Sequence, residues 1–181
     1  HIHLPLQAGS DRILELMGRT YTGAEYLALV ERIRMTIPRI ILTTDIICGF
    51  CSESDEDFQA TVRLVEQAQL DSAYIFKYSE RKHTIAARKY TDDVPDQLKG
   101  QRVAKLFEIQ RAITAERNRR YIGKTVEVLI EGDATRSSTQ GMGKTDGNIT
   151  VVWDKQTGHS EPGTLMTKHI FDASAATLYG A

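Results

Sequence analysis

The chain is poor in the residues that would commit it to a special environment. Two cysteines in 181 residues are too few for a disulfide framework, which favours a reducing compartment. No apolar run approaches the roughly 18 residues that span a bilayer, and no signal-peptide pattern appears. Both point to a cytoplasmic protein without a membrane partner. Neither sign of charge dominates: 23 Lys and Arg stand against 24 Asp and Glu, so attraction to a polyanion must come from local clustering. There is no internal repeat and no low-complexity run. With 41% hydrophobic and 26% charged residues, the composition suits one medium or two small globular domains. The first residue is His1, inside what reads as an apolar strand, "HIHLPL", so the chain is expected to belong to something longer.

The first half alternates strands and helices. "IHLPL" (2–6) reads as a strand, and Ser10 or Asp11 can cap a helix that runs to Met17 and stops at Gly18. Thr22 and Glu25 form a capping box. Tyr26, Leu27, Val30, Ile33 and Ile37 then recur at helical spacing, and Pro38 follows. "IILTTDII" (40–47) looks like a buried parallel strand. Ser54 starts a helix with Phe58, Val62, Leu64, Val65 and Ala68 on its apolar side, and "SAYIFKY" (72–78) is a third strand. This alternation implies right-handed βαβ units and a parallel sheet. Three such strands cannot close a barrel. A partial (β/α) barrel over 1–95 is expected, with self-association through residues 1–8 or 40–47 at an open edge.

Residues 79–95 read as a polar loop. A long linker helix, 96–120, follows with Val103, Leu106, Phe107, Ile109 and Ile113 as its apolar set. From Gly123 the pattern turns to short strands, "KTVEVLIEG", "ITVVW", "TLMTKHIF" and "ATLYG", which suggest a small antiparallel β-barrel over 121–181.

The two cysteines form Cys48-Gly49-Phe50-Cys51, which poses a choice between redox pair, partial metal site and ordinary thiols. A reactive thiolate needs positive surroundings, yet Glu53, Asp55, Glu56 and Asp57 crowd the next turn. Zinc needs four ligands, and no second cysteine pair exists. Ordinary thiols are the favoured reading. The carboxylates have a plain role too, since acids in a first helical turn complement the helix dipole.

Four stretches, "HIHLPLQAGSDRILELMGRTYT", "TTDIICGFCSESDEDF", "FKYSERKHTIAA" and "GKTDGN", together resemble the radical-SAM methylthiotransferases, most closely the MiaB-type enzymes that act on tRNA. The resemblance runs across essentially the whole chain. It implies the last strands of a radical-SAM barrel, then an RNA-binding, OB-like TRAM domain. The cofactors implied are S-adenosyl-L-methionine and two [4Fe–4S] clusters, the clusters bound by cysteines absent here, so that the isolated chain would not turn over. The chain departs from the family at "CGFCSE", where "VGFPGE" is usual. Cys48 and Cys51 therefore fall where Val and Pro are common, not at cluster ligands. It departs again at Glu80, Lys82, His83 and Ile85, and His83 is read as a loop substitution rather than a base.

The resemblance also proposes site residues. Gln7 and Ser10 would meet the ribose or methionine end of the cofactor, although Ser10 serves equally as a helix cap. Ile46 and Gly49 would lie at the adenine, with Glu53 bracing their loop, and Arg81 would take the cofactor carboxylate or an RNA phosphate. Asp45 either bonds locally or faces the site. Arg117, Arg119, Arg120 and Lys124 would contact RNA, joined by Lys144 and Asn148 of "GKTDGN"; the bland alternatives are a solvated basic face and a structural turn. Trp153 could stack on a base, but core packing is the commoner role.

The activity implied is methylthiolation of C2 of N6-isopentenyladenosine at position 37, in the anticodon stem-loop, begun by a 5′-deoxyadenosyl radical. The alternatives are a sibling enzyme acting on threonylcarbamoyladenosine in tRNA or, behind it, one acting on a ribosomal protein; from another class, a non-catalytic RNA-binding module; and, third, a dithiol oxidoreductase.

Overall fold

The computed structural model describes residues 1–135, 137–155 and 161–181. The chain divides into two compact units, Ile2–Arg111 and Ala112–Ala181.

The first unit is a three-stranded parallel sheet, β1 (Ile2–His3), β2 (Leu42–Cys48) and β3 (Ser72–Lys77), in the order β1-β2-β3. The expected first strand is cut short because Pro5 has no N–H for the ladder. Pairing resumes at Gln7, whose N–H donates to the Asp45 carbonyl at 2.8 Å and whose carbonyl accepts from Ile47 N–H at 2.8 Å. Since β2 is paired on both sides, residues 40–47 are not an open edge; β1 and β3 are.

Between the strands run α1 (Asp11–Leu16), α2 (Gly23–Thr36) and α3 (Asp55–Ala68). Each starts where its local sequence can satisfy the first free N–H groups. Ser10 accepts from Ile13 N–H, and Thr22–Glu25 and Ser54–Asp57 form reciprocal capping boxes. The segment expected to be a loop contains a short helix, α4 (Ile85–Lys89), capped by Thr84. At five residues it is too short to show a periodic apolar signal.

The alternation of β2 separates two faces. Leu42, Thr44 and Ile46 are fully buried on one. On the other, Asp45 lies beside Tyr74 and Ile47 beside Phe76, and the two aromatic rings are about half exposed.

Helix α5 (Asp96–Arg119) corrects the expected apolar stripe. Its buried positions are Lys99, Arg102, Leu106, Gln110, Ile113 and Asn118, four of them polar, and the first five form a helical stripe, whereas Phe107 is 53% exposed.

The second unit holds a closed five-stranded barrel, β4 (Thr125–Ala134), β5 (Ser137–Lys144), β6 (Thr150–Asp154), β7 (Leu165–Ala173) and β8 (Thr177–Gly180), in the order β4-β5-β6-β8-β7. Strand β5 was not expected, since "SSTQGMGK" is nearly devoid of β-branched apolar residues. The barrel is mixed rather than purely antiparallel, because β6 and β8 pair in parallel. Val128, Ile130, Val151, Trp153, Ile170 and Leu178 fill it. The Trp153 ring lies against Gly141, where a Cβ would come within 2.5 Å of the indole. With 3% exposure, Trp153 is core and not a base platform.

Candidate functional site

Ligands of parallel α/β folds gather at the carboxyl ends of the strands, where the following loops converge. A cavity of about 560 Å³ lies there, lined by Gln7, Asp45, Ile47, Phe76, Tyr78 and Arg81, among others. Gln7 is its most telling residue. Its φ of 69° is a left-handed conformation that non-glycine residues seldom adopt, and only 8% of it is exposed. Its side-chain amide makes no hydrogen bond within the described residues and is not among their enclosed unpaired atoms, so the strained backbone presents an open donor and acceptor to the cavity. Asp45 is held from the side by His3, whose Nε2 is 3.3 Å from Oδ2, while His3 Nδ1 lies 2.9 Å from Thr43 Oγ1.

The remaining expected residues are placed differently. The Ile46 side chain is fully buried on the opposite face, and Ile47 is the isoleucine at the cavity. The near-continuous apolar run of β2 hid this, although strict alternation from Asp45 would have revealed it. Ser10 is consumed by structure: it caps α1 and donates to Asp57 Oδ1 at 2.6 Å. It lines a wider groove of about 650 Å³ between α1, α2 and α3, where Arg12 also pairs with Asp57. Burial alone would raise the Asp57 pKa, but hydrogen bonds from Arg12, Ser10 and Ser54 outweigh it and hold the carboxyl well below its usual range.

Gly49 and Glu53 form the loop after β2. Gly49 has φ 74°, and a Cβ there would strike the Lys99 side chain. The Glu53 carboxylate accepts Gly49 N–H at 2.7 Å and is nearly fully buried against Arg102. Burial raises its pKa above the usual value; Gly49 N–H and Arg102 oppose that shift.

Both cysteines are buried free thiols in this region. Burial, reinforced by Glu53, pushes Cys48 up to about 12. Cys51 packs with Ala8, Ile13, Leu14 and Phe50 in an apolar cluster. No group of three or more His, Cys, Asp or Glu side chains among the described residues could hold a metal. A [4Fe–4S] cluster needs several thiolates in one place, so the residues described here do not fit one. The cavity at Gln7 and Arg81 does suit a polar ligand with a carboxylate end.

In the second unit, Arg117 and Arg119 end α5, and Arg119 pairs with Glu116 at 2.8 Å. The Arg120 guanidinium lies 5.8 Å from the Tyr121 ring centre, and Lys124 leads into β4. Lys144 does not join this group. It pairs with Leu129 in register, whereas Thr125, next to Lys124, pairs with His169, so about 13 Å of strand separates the two ends. Lys144 donates to Thr150 Oγ1 at 2.8 Å. Asn148, with φ 63°, donates its N–H to Thr145 and closes the turn.

Two stretches match known families: residues 1–65 the radical SAM superfamily and residues 119–180 the TRAM domain. The chain is 48% identical over 180 residues to a tRNA-2-methylthio-N(6)-dimethylallyladenosine synthase of Porphyromonas gingivalis, covering 99% of this chain and 38% of the relative. A Chlorobium chlorochromatii synthase of the same name is also 48% identical, with 99% and 40% covered. The chain thus spans about two fifths of the length of the curated relatives it matches. Among solved structures, coproporphyrinogen III oxidase from Escherichia coli, a radical SAM enzyme, shares the fold at a TM-score of 0.53 and 15% identity, over 85% of this chain and 40% of that one. No helix among the described residues is long and apolar enough to cross a membrane.

Proposed function

We propose, for a chain that belongs to the radical-SAM methylthiotransferases, that it supplies a cofactor cavity and an RNA-binding barrel to an enzyme that methylthiolates C2 of N6-isopentenyladenosine at position 37 of tRNA in the cytoplasm. Residues 1–95 serve as the end of the radical-SAM barrel, 96–120 as a helix between modules and 121–181 as the TRAM domain. The observation that carries the reading is the amide of Gln7, unbonded within the described residues and lining a cavity at the carboxyl ends of a parallel sheet, in a chain matched to the radical SAM superfamily and to the TRAM domain.

S-adenosylmethionine and the two clusters would supply the radical and methylthio chemistry; the clusters would be held by residues other than those described here. This chain's residues bind and orient. Gln7 offers an amide to the polar end of S-adenosylmethionine, and Arg81 offers a guanidinium fork to its carboxylate. Ile47 and Phe76 provide the apolar wall, and the Gly49 loop closes beside Tyr78. The basic run from Arg117 to Lys124 meets RNA phosphates.

The test is nucleoside mass spectrometry of tRNA from cells that lack the modification and express the whole enzyme containing this sequence. Appearance of 2-methylthio-N6-isopentenyladenosine supports the reading. Restoration of only the threonylcarbamoyl analogue would assign the sibling activity instead, and neither product would refute both.

A further inference from the structure

From sequence, α5 is a linker helix. Its first half is instead built into the loop that follows β2. Lys99 and Arg102 are each only 3% exposed. Arg102 Nη1 donates to Glu53 Oε2 at 2.7 Å and to the Glu53 carbonyl at 3.0 Å, and Nη2 donates to Asp55 at 2.7 Å. Glu53 Oε2 is also the acceptor of Gly49 N–H. The Lys99 stem lies against Gly49. The Lys99 ammonium bonds Asp92 Oδ2 at 2.6 Å and sits 5.2 Å from the centre of the Tyr78 ring. Phe50 meets the same ring edge-on at 4.9 Å between centroids. Tyr78 is a wall of the cavity.

We infer that Lys99 and Arg102 are positioning residues for the cavity, acting through Gly49, Glu53 and Tyr78 to hold the β2–α3 loop and one cavity wall in a single conformation. The inference rests on the proposed cofactor reading and extends the site from the cavity lining to α5, outside residues 1–65, the stretch matched to the radical SAM superfamily.

Two physical arguments support it. The loop carries left-handed residues at Gly49 and Ser52, so its shape needs support from outside. α5 gives that support with buried cations, which are a costly way to gain stability alone: apolar side chains of similar size commonly do as well or better. What the guanidinium fork adds is direction, because its planar donors fix three oxygens at once.

The test uses the whole chain, with S-adenosylhomocysteine as the probe, titrated by calorimetry while thermal melting is followed in parallel. Lys99→Met keeps the stem and removes the charge. Arg102→Met removes the fork, and Arg102→Lys keeps only its charge. Both Met variants are expected to weaken probe affinity at least about tenfold, the size by which outer supporting partners commonly act. Arg102→Lys is expected to recover part of that loss. Val30→Ala, a destabilised control in α2, should melt earlier yet keep its affinity. Wild-type affinity in both Met variants would overturn the inference alone, as would losses in affinity that follow melting temperature across all variants including the control. Failure of the wild-type chain to bind the probe would defeat the cofactor reading, and this inference with it.

Discussion

The Arg102 guanidinium donates to the Glu53 carboxylate at 2.7 Å, with 3% and 1% of the two side chains exposed, and so joins α5 to the loop after β2. Removing one partner leaves the other charge buried and unpaired. Arg102→Met is therefore expected to destabilise the first unit by about 3–5 kcal/mol. The double variant Glu53→Gln/Arg102→Met should cost clearly less than the sum of the singles. Chemical denaturation of the four species of this cycle measures the coupling, and strict additivity would refute it.

Asp57 predicts acid sensitivity. Its folded pKa lies below the unfolded value, so the stabilisation it contributes is present above the unfolded pKa and is lost as pH falls through the folded one. Stability should hold near neutral pH and decline below about pH 4. Asp57→Asn should lower stability at pH 7 and flatten that acid limb; a parallel limb in the variant would assign the loss to other carboxylates.

Cys48 and Cys51 should behave as inert core thiols. Burial and the raised Cys48 pKa predict negligible reaction with a thiol reagent at pH 8 in the folded chain, and full reaction of both after unfolding. Rapid labelling of native protein, or a disulfide found after mild oxidation, would reopen the redox reading.

Trp153→Ala should destabilise the barrel by about 3–5 kcal/mol, because it empties a core site packed on Gly141. RNA affinity at a temperature where the variant remains folded should barely change. A large loss of affinity with an unaltered melt would restore the stacking role.

RNA binding itself should depend on salt through Arg119 and Arg120. Reversing both to Glu is expected to weaken many RNAs alike and to flatten the log K against log salt slope by about 1–2. Lys144→Glu should act independently, since β4 separates it from that cluster. Self-association through the β1 or β3 edge, or the half-exposed Tyr74 and Phe76 face, is expected to rise with concentration. Sedimentation showing only monomer at high concentration would exclude it.

What the sequence determined by itself was local. Ser10, Thr22 and Ser54 mark helix starts because a cap is completed within three residues, and such interactions need no distant partner. The order of strands and helices was legible for the same reason, through periodicity along each segment. The tertiary structure alone decided where charge could be buried. Nothing local marks Lys99 and Arg102 for burial, because cations on a helix usually face solvent. Their burial depends on Asp92, Asp55 and Glu53, and Glu53 lies 49 residues away from Arg102. In β2, alternation along the strand puts Asp45 and Ile47 on one face, but only pairing with Tyr74 and Phe76 made that face the wall of the cavity. A side chain's partner across such a separation is chosen by the packed backbone, and no local pattern encodes it.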